Sequence, residues 1–235
     1  ANRVLPAANG IRVVSGRVKA SLVAQYGTLI PEPSVIPITV STEVPERALL
    51  PAHSFTFALI AVGRLESEKR VEDILAALKL IIKHYPTVGL FIVGDGRERR
   101  RLEQMTLSLG LEKYVVFLGE RIDAQALMRS AQAFIQASAY EGYGRTLIEA
   151  ALAKVPIITT DVGIVGEVFK DGLEALVAPV SDPKTLARNI TKIIEDNRIR
   201  QELPIRAEAA AREHFAVAGD LSTRIARDLA RILPS

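Results

Sequence analysis

Short apolar segments alternate with helical patterns from residue 57 onward, and each segment is four to six residues long. The segments are FALIAV (57–62), GLFIV (89–93), VVFL (115–118), AFIQA (133–137), PIITT (156–160) and EALVA (174–178). Parallel strands need crossover connections and are buried on both faces, which gives this kind of alternation. The pattern therefore predicts an α/β fold with a doubly wound, Rossmann-like parallel sheet.

Helical periodicity and end signals predict the segments between and after these strands. Apolar residues at helical spacing predict a helix from Val71 to Tyr85, and an Ala/Leu-rich stretch predicts another from Thr146 to Lys154. Asp182-Pro183 marks the start of a helix that ends near Glu195. The tail from Gln201 to Leu233 predicts two further helices with a break near residues 216–219.

The first fifty residues have a different pattern. The segment 11–15 predicts one strand and the segment 17–26 one helix, and four prolines between residues 31 and 45 then exclude a regular helix or a central strand. One strand and one helix cannot bury a core of their own. We therefore expect residues 1–40 to be the remnant of an amino-terminal domain with its linker, and residues 41–235 to form the ligand-binding domain. We also expect the start at Ala1, without Met, to reflect a truncated or processed chain.

Composition narrows the class of function. The chain has 235 residues, 30 basic against 27 acidic, and seven Phe, five Tyr and no Trp, which offers few stacking platforms and predicts no nucleic-acid partner. It has no cysteine and three scattered histidines (His53, His84, His214), so we expect no metal and no cofactor. No apolar run reaches the roughly 20 residues of a membrane span. A cytoplasmic enzyme fits, and the basic residues Arg17 and Lys19 permit a peripheral contact with the inner face of a membrane.

A pair of glutamates brackets the segment EGYGRTLIE after the fourth strand. Glu141 and Glu149 have seven residues between them, and Gly142 and Gly144 allow the backbone to approach a ligand closely. The free N–H groups at the start of the following helix suit a diphosphate. Glu141 and Glu149 could then accept hydrogen bonds from two clusters of hydroxyls, one on each side of the diphosphate. A sugar nucleotide has this layout of sugar, diphosphate and ribose. The same two glutamates are also compatible with a solvated loop residue and a helix-dipole partner.

Two cations follow the first strand of the sheet. Gly63-Arg64-Leu65 comes directly after FALIAV, and Lys69 lies five residues beyond the arginine. The carboxyl ends of parallel strands are where such sheets bind ligands, and both cations could neutralise a diphosphate there. The alternative is a pair of solvated cations with Glu66 and Glu68 as local partners.

Three other turns are weaker candidates. Gly94-Asp95-Gly96 lacks the third glycine of a dinucleotide fingerprint because residue 99 is arginine, and we expect a tight strand-to-helix turn. The loop Gly119 to Asp123 could line a base pocket or simply connect two elements. Glu167 could contact a ligand or cap a helix predicted to start near Gly163 or Gly166.

Five motifs occur together in a fixed order. They are VGRLESEK (62–69), VGDG (93–96), VVFLGE (115–120), EGYGRTLIEAALAKVPIITTDVG (141–163) and ALVAPVSDP (175–183). Together they resemble the carboxy-terminal domain of glycosyltransferase family 4 (glycosyl transferases group 1), retaining enzymes with the GT-B fold. The resemblance implies that the chain is the second half of a GT-B fold. The absent amino-terminal domain would bind the acceptor, and the last helix, residues 216–233, would cross back to it.

The resemblance also implies roles for individual residues. Arg64 and Lys69 would hold the donor diphosphate and form the catalytic group together with Glu141, which would contact sugar hydroxyls, while Glu149 would bind the ribose. The other implied donor-binding residues are Gly63, Arg121, Gly142, Tyr143, Gly144, Arg145 and Thr146. The implied reaction is hexosyl transfer from a UDP-, GDP- or ADP-sugar, without a metal ion, in glycan, glycolipid or polysaccharide synthesis. The fragment alone is expected to be inactive or weakly active.

Several positions depart from the family pattern. Arg70, Lys154, Val155 and Ile164 occupy positions where the family commonly has glycine or another small residue. These departures affect loop geometry and leave the charged donor contacts in place. Two alternatives stay open: a non-catalytic nucleotide-sugar-binding module, and a GT-B sugar-nucleotide epimerase, which would require catalytic carboxylates and histidines that the sequence does not place here.

Overall fold

The computed structural model describes residues 4–43, 45–51, 54–218 and 221–232. The strands are β1 (Arg12–Val13), β2 (Ser34–Val35), β3 (Phe57–Val62), β4 (Val88–Val93), β5 (Val115–Gly119), β6 (Ala133–Ile135), β7 (Ile157–Thr160) and β8 (Leu176–Ala178). The helices are α1 (Gly16–Tyr26), α2 (Val71–Ile81), α3 (Arg99–Ser108), α4 (Ala124–Met128), α5 (Arg145–Leu152), α6 (Pro183–Glu195), α7 (Asn197–Ala218) and α8 (Leu221–Ile232). All six strands predicted from residue 57 onward are present.

The large sheet is six-stranded and parallel, in the order β5-β4-β3-β6-β7-β8. Counted from its first strand, this is the 3-2-1-4-5-6 order of the doubly wound dinucleotide-binding fold. The predicted fold class is therefore confirmed. The order reverses between β3 and β6, which places a crevice beyond the carboxyl ends of these two strands.

Helices cover both faces of this sheet. Because side chains alternate along a strand, the neighbours Leu59 and Ile60 belong to opposite faces and both are fully buried. Leu59 and Leu90 belong to the core formed with α2, α3 and α6. Ile60 and Phe91 belong to the core formed with α4, α5 and α7. Burial of each such side chain contributes roughly 1.5–3 kcal/mol, so the sheet is the main source of stability.

Two helix predictions differ in accuracy. Helix α6 starts and ends as predicted, because Asp182 accepts a hydrogen bond from the Thr185 N–H at 3.0 Å and proline occupies the first helical position. Helix α2 ends at Ile81 and not at the predicted Tyr85. Both the His84 and the Tyr85 N–H groups donate to the Ile81 carbonyl, which closes the helix in a turn ahead of Pro86.

The amino-terminal segment contains more structure than the sequence predicted. A second strand, β2, lies within the proline-containing stretch and pairs in parallel with β1. Four buried side chains, Ile11, Val13, Tyr26 and Ile30, form a small cluster there. The expectation of a single strand and helix without a core was therefore wrong, although the cluster is small and the segment also contacts the large domain.

The carboxyl-terminal tail forms two helices, as predicted: α7 begins at Asn197 and ends at Ala218, within the predicted break, and α8 begins at Leu221. Gly219 lies outside the described residues. Helix α8 contacts the amino-terminal segment: Arg224 donates to the Val35 carbonyl at 2.9 Å, and Ser34 hydrogen-bonds to Asp228. Among the described residues, no helix is both long and apolar enough to cross a membrane.

Two of the family departures have left-handed backbone conformations. Arg70 has φ of 47° and Lys154 has φ of 57°, a region that favours glycine by about 1–2 kcal/mol. Their side chains differ in environment. Arg70 donates twice to the buried carboxylate of Asp73, at 2.6 and 3.1 Å, whereas Lys154 is exposed and pairs with Glu208 at 2.9 Å. The same backbone strain is therefore offset by different interactions.

We expect opposite outcomes when glycine replaces these two residues. Lys154→Gly should change the free energy of unfolding by less than about 1 kcal/mol, because relief of strain offsets a solvated ion pair. Arg70→Gly should destabilise by roughly 1–3 kcal/mol, because it leaves the Asp73 carboxylate buried without its charged donor. Urea unfolding of both variants measures this. Equal effects of the two substitutions would contradict the explanation.

Candidate functional site

An ion pair lies beyond the carboxyl ends of β3 and β6, in the crevice at the reversal of strand order. Lys69 Nζ donates to Glu141 Oε1 at 2.5 Å, and the Ser138 hydroxyl donates to the same oxygen at 2.9 Å. The two charged side chains are only 21% and 13% exposed. Glu141 Oε1 therefore accepts two hydrogen bonds, and the carboxylate is fixed in position.

Two loops bring this pair together. Lys69 ends a short 3-10 turn, Ser67–Lys69, after β3, and Glu141 belongs to the loop after β6. The Ala139 N–H donates to the Glu68 carbonyl at 2.7 Å and joins the two loops directly. Ser138 was missed in the sequence analysis, although its position three residues before Glu141 was a usable signal. The structure thus brings together residues that are 72 positions apart.

A cleft of about 360 Å³ lies between the loops that follow β3, β4 and β5. It is lined by residues that include Gly63, Arg64, Gly94, Glu120 and Arg121. The Arg64 side chain is 77% exposed, and its contact with Glu68 is 3.8 Å, longer than a hydrogen bond. Arg64 can therefore turn its guanidinium group toward an anion in the cleft without breaking a strong interaction.

Arg121 lies on the far wall of this cleft. Its guanidinium group makes two hydrogen bonds to the Asp123 carboxylate, at 2.8 and 2.7 Å. These bonds lower the pKa of Asp123 below its usual value. The loop Gly119 to Asp123 therefore lines a cleft. Its arginine is held by the carboxylate of Asp123.

The first turn of α5 follows the loop that carries Glu141. Gly144 is the N-cap and provides no side-chain acceptor, and the Leu147 N–H donates to the Gly144 carbonyl at 3.0 Å, so the N–H groups of Arg145 and Thr146 are the ones that suit an anion. Thr146 donates to the Gln136 side-chain oxygen at 2.8 Å, and the Gly142 carbonyl accepts from the Ser15 hydroxyl at 2.7 Å. Thr146 and Gly142 are therefore held from both sides, and the turn is fixed before a ligand binds.

Glu149 lies one turn inside α5. Arg145 Nε donates to Glu149 Oε1 at 2.7 Å, the arginine side chain being 64% exposed and the glutamate 17%. Arg145 thus projects toward solvent and pairs with Glu149. The Glu149 carbonyl accepts from Gln125 on α4 at 3.4 Å. Of the two predicted glutamates, Glu141 therefore lies on the loop before α5 and Glu149 within the helix.

The Tyr143 side chain is directed away from the site. It is buried, and burial, aided by the charge of Glu167, raises the pKa of Tyr143 to about 12. The tyrosine hydroxyl lies 3.0 Å from His214 Nε2 on α7. Burial lowers the pKa of His214, while Glu167 raises it and Arg224 lowers it further. Any contact of Tyr143 with a ligand would be made by its backbone.

The segment 161–167 forms turns without a helix, so the helix predicted near Gly163 or Gly166 was wrong. Gly163 approaches the loop that carries Glu141, residues 136–144, which we call the glutamate loop. A Cβ atom on Gly163 would lie 2.3 Å from the Tyr143 carbonyl oxygen in this loop. Only glycine fits there. Glu167 accepts a hydrogen bond from the Gly16 N–H at 2.9 Å, at the start of α1. Glu167 therefore caps a helix, which was one of its two predicted roles, but the helix is α1, about 150 residues away in sequence.

The turn after β4 is structural, as predicted. A Cβ atom on Gly94 would lie 1.9 Å from the Gly63 carbonyl oxygen, so glycine allows the two loops to meet. The Gly94 N–H also donates to the Gly119 carbonyl at 2.7 Å, and the Leu65 N–H donates to the Asp95 backbone carbonyl at 2.8 Å. These contacts join the loops after β3, β4 and β5, which line the cleft.

Metal ligands and histidines do not gather at this site in the part of the chain that the structure describes. No three His, Asp or Glu side chains there are grouped to hold a metal ion. His84 is exposed at the end of α2, and His214 is bonded to Tyr143. His53 lies outside the described residues.

Solved structures share the fold of this chain. Sucrose-phosphate synthase of Thermosynechococcus elongatus has a TM-score of 0.83 at 23% identity, over 97% of this chain and 60% of that one. HepE of Anabaena, solved with UDP and glucose, has a TM-score of 0.82 at 24% identity, over 94% and 63%. The carboxy-terminal domain of LpcC from Francisella tularensis has a TM-score of 0.66 at 21% identity, over 75% and 98%. The fold is that of the GT-B glycosyltransferases.

The model of the family "Glycosyl transferases group 1" matches residues 52–214, and the chain belongs to this family. The lipopolysaccharide core biosynthesis glycosyltransferase LpsE of Rhizobium meliloti is 26% identical over 183 residues, which are 78% of this chain and 51% of LpsE. Glycogen synthase of Mycobacterium tuberculosis is 31% identical over 154 residues, 65% of this chain and 36% of the synthase. The chain thus spans about half or less of these relatives. The predicted group 1 membership is confirmed.

We expect the Lys69–Glu141 pair to be coupled more strongly than an exposed pair. A double-mutant cycle with Lys69→Ala and Glu141→Gln should give a coupling of about 1–2 kcal/mol in urea unfolding, because little water screens the charges. Arg206 and Glu202, at 2.7 Å but 47% and 41% exposed, provide the control, with less than about 1 kcal/mol. Equal couplings would show that burial does not strengthen the pair.

The lowered pKa of His214 predicts a loss of stability in acid. The folded protein favours the neutral ring, so the unfolded chain binds the proton first as pH falls below about 6.5. Stability from this site is therefore present above that pH and decreases as pH falls toward the folded-state pKa. His214→Gln should reduce the loss between pH 7 and 5, measured by urea unfolding. Exposed His84→Gln is the control, and an unchanged slope in His214→Gln would contradict the prediction.

Proposed function

We propose that this chain is the carboxy-terminal, donor-binding domain of a retaining enzyme of glycosyltransferase family 4, which transfers a hexosyl group from a nucleoside-diphosphate sugar. The observation that carries the proposal is the fixed Lys69–Glu141 pair, whose lysine lines a cavity together with Arg64 and whose glutamate lies on the loop before α5. These cations, the helix N–H groups and the carboxylates of Glu141 and Glu149 are the types of group that would bind such a donor.

The diphosphate would lie against the first turn of α5, between Arg64 and Lys69. Arg64 can form two hydrogen bonds to phosphate oxygens, Lys69 adds a point charge, and the N–H groups near Gly144 add fixed dipoles. These groups would stabilise the charge that develops on the departing diphosphate, the function that a metal ion has in other transferases. Donor binding is therefore proposed to be independent of a divalent cation.

The sugar and the nucleoside would lie on opposite sides of the diphosphate. Glu141 Oε2 would accept from sugar hydroxyls, because its other oxygen is bonded to Lys69 and Ser138. Glu149 would accept from the ribose hydroxyls, and the base would enter the 360 Å³ cleft beside Arg121. The backbone of residues 142–146, including Tyr143 and Thr146, would contact the sugar and the phosphates.

The family resemblance implies transfer with retention, which we include in the proposal. The bond between the anomeric carbon and the β-phosphate oxygen breaks, and the acceptor hydroxyl adds to the same face of the sugar. The acceptor proton passes to the leaving phosphate, so that no protein base is required. The structures of HepE with UDP and with UDP-glucose support a nucleotide sugar as the ligand. The acceptor would bind to a domain outside this chain, and the relatives LpsE and glycogen synthase support glycan or polysaccharide synthesis as its setting.

Calorimetric titration of the 235-residue chain with UDP, GDP and ADP, and with their sugar conjugates, tests the proposal. We expect saturable binding of one nucleotide series in the presence of EDTA. Arg64→Ala should weaken this binding by about tenfold or more, because it removes charged hydrogen bonds to phosphate. Glu149→Ala should weaken binding of both the free nucleotide and its sugar conjugate.

Matched surface variants separate site effects from general ones. Arg206→Ala and Glu202→Ala remove an exposed pair on α7 and should leave binding within about twofold of the unchanged protein. No saturable binding by any nucleotide would overturn the donor-site assignment. Binding that is lost with EDTA would overturn the metal-independent part alone.

A further inference from the structure

The amino-terminal segment contacts the loops that form the sugar end of the site. Arg17, on α1, donates to three carbonyls of one loop: Gly163 at 3.1 Å, Asp161 at 3.2 Å and Val165 at 2.9 Å. Its guanidinium group also pairs with the Asp161 carboxylate at 2.5 Å. One planar group thus fixes four acceptors of a loop about 145 residues away in sequence, a geometry that a flexible lysine ammonium cannot reproduce.

The loop that Arg17 holds lies directly behind Glu141. A Cβ atom on Gly163 would be 3.1 Å from Glu141 Cβ, and the Ile164 N–H donates to the Tyr143 carbonyl at 2.9 Å. A shift of the 161–165 loop would therefore displace the backbone that carries Glu141. The cleft beside Arg121 does not touch this loop.

Two neighbours of Arg17 hold the same region. Ser15 is buried, and its hydroxyl donates to the Gly142 carbonyl at 2.7 Å. The Gly16 N–H donates to Glu167 at 2.9 Å. Residues 15–17 therefore contact both the glutamate loop and the loop behind it, and they belong to the segment that sequence patterning had separated from the ligand-binding domain.

We infer that Arg17 is a positioning residue for the sugar end of the donor site and that it sets the preference for the sugar conjugate over the free nucleotide. The inference rests on the proposed function. Arg17 does not touch the donor. It acts through Gly163 and Ile164, which fix the position of Glu141.

Hydrogen exchange of the 235-residue chain tests the positioning without a ligand. In Arg17→Ala, the Ile164 amide should exchange about tenfold faster or more, while the amides of Leu59 and Ile60 in β3 stay protected and report an intact fold. Lys19→Ala is the matched control, since Lys19 lies on the same helix and pairs with Glu32 at 2.7 Å, away from the loop. Unchanged exchange at Ile164 in Arg17→Ala would overturn the inference.

Titration with UDP and UDP-glucose, or with the nucleotide pair selected above, tests the consequence for binding. Arg17→Ala should reduce the ratio of the two affinities by about tenfold and leave binding of the free nucleotide within about twofold. Arg17→Lys should resemble Arg17→Ala in both measurements. An unchanged ratio, or full rescue by lysine, would overturn the inference.

The two proposals fail in different ways. If the unchanged chain binds neither UDP nor UDP-glucose nor any other nucleotide, the proposed function fails, and Ile164 exchange still decides whether Arg17 fixes the loop. If the unchanged chain binds a nucleotide sugar and Arg17→Ala keeps its preference, the proposed function stands and the role of Arg17 fails.

Discussion

Burial of both faces of the six-stranded parallel sheet is the constraint on which the rest of this structure depends. Because all six strands are parallel, their carboxyl ends lie at one edge, and crossovers on both faces produce the reversal of strand order there. Leu59 and Ile60, adjacent in β3, bury into opposite cores. The loops after β3 and β6 then meet at the reversal of strand order, where Lys69 reaches Glu141. The site is thus a consequence of how the sheet is covered.

The loops at this edge are held mainly by backbone contacts. Glycine allows the carbonyl groups of neighbouring loops to pack where a side chain would collide, as Gly94 does against Gly63 and Gly163 against Tyr143. Backbone hydrogen bonds then join the loops in pairs. The Lys69–Glu141 pair gains from this arrangement, because the loops that carry the two side chains are fixed relative to each other.

The segment before the linker contributes to the same architecture. Helix α1 is capped by Glu167, its Arg17 holds the loop behind Glu141, and α8 contacts β2. The division at residue 40 therefore separates parts of the sequence that cooperate in space. That residues 1–40 are the remnant of an amino-terminal domain stays a prediction, whereas the contacts show how these residues hold the loops around Glu141.

The sequence by itself determined the six strands, the parallel sheet and the charged residues after β3 and β6, because burial periodicity and turn residues are local properties of the chain. Family resemblance then added the roles of Arg64, Lys69, Glu141 and Glu149. Only the tertiary structure decided that Tyr143 turns inward to His214 and that Arg17 holds the 161–165 loop. These contacts join residues on different elements, and no spacing along the chain records which of several polar partners a folded side chain will reach.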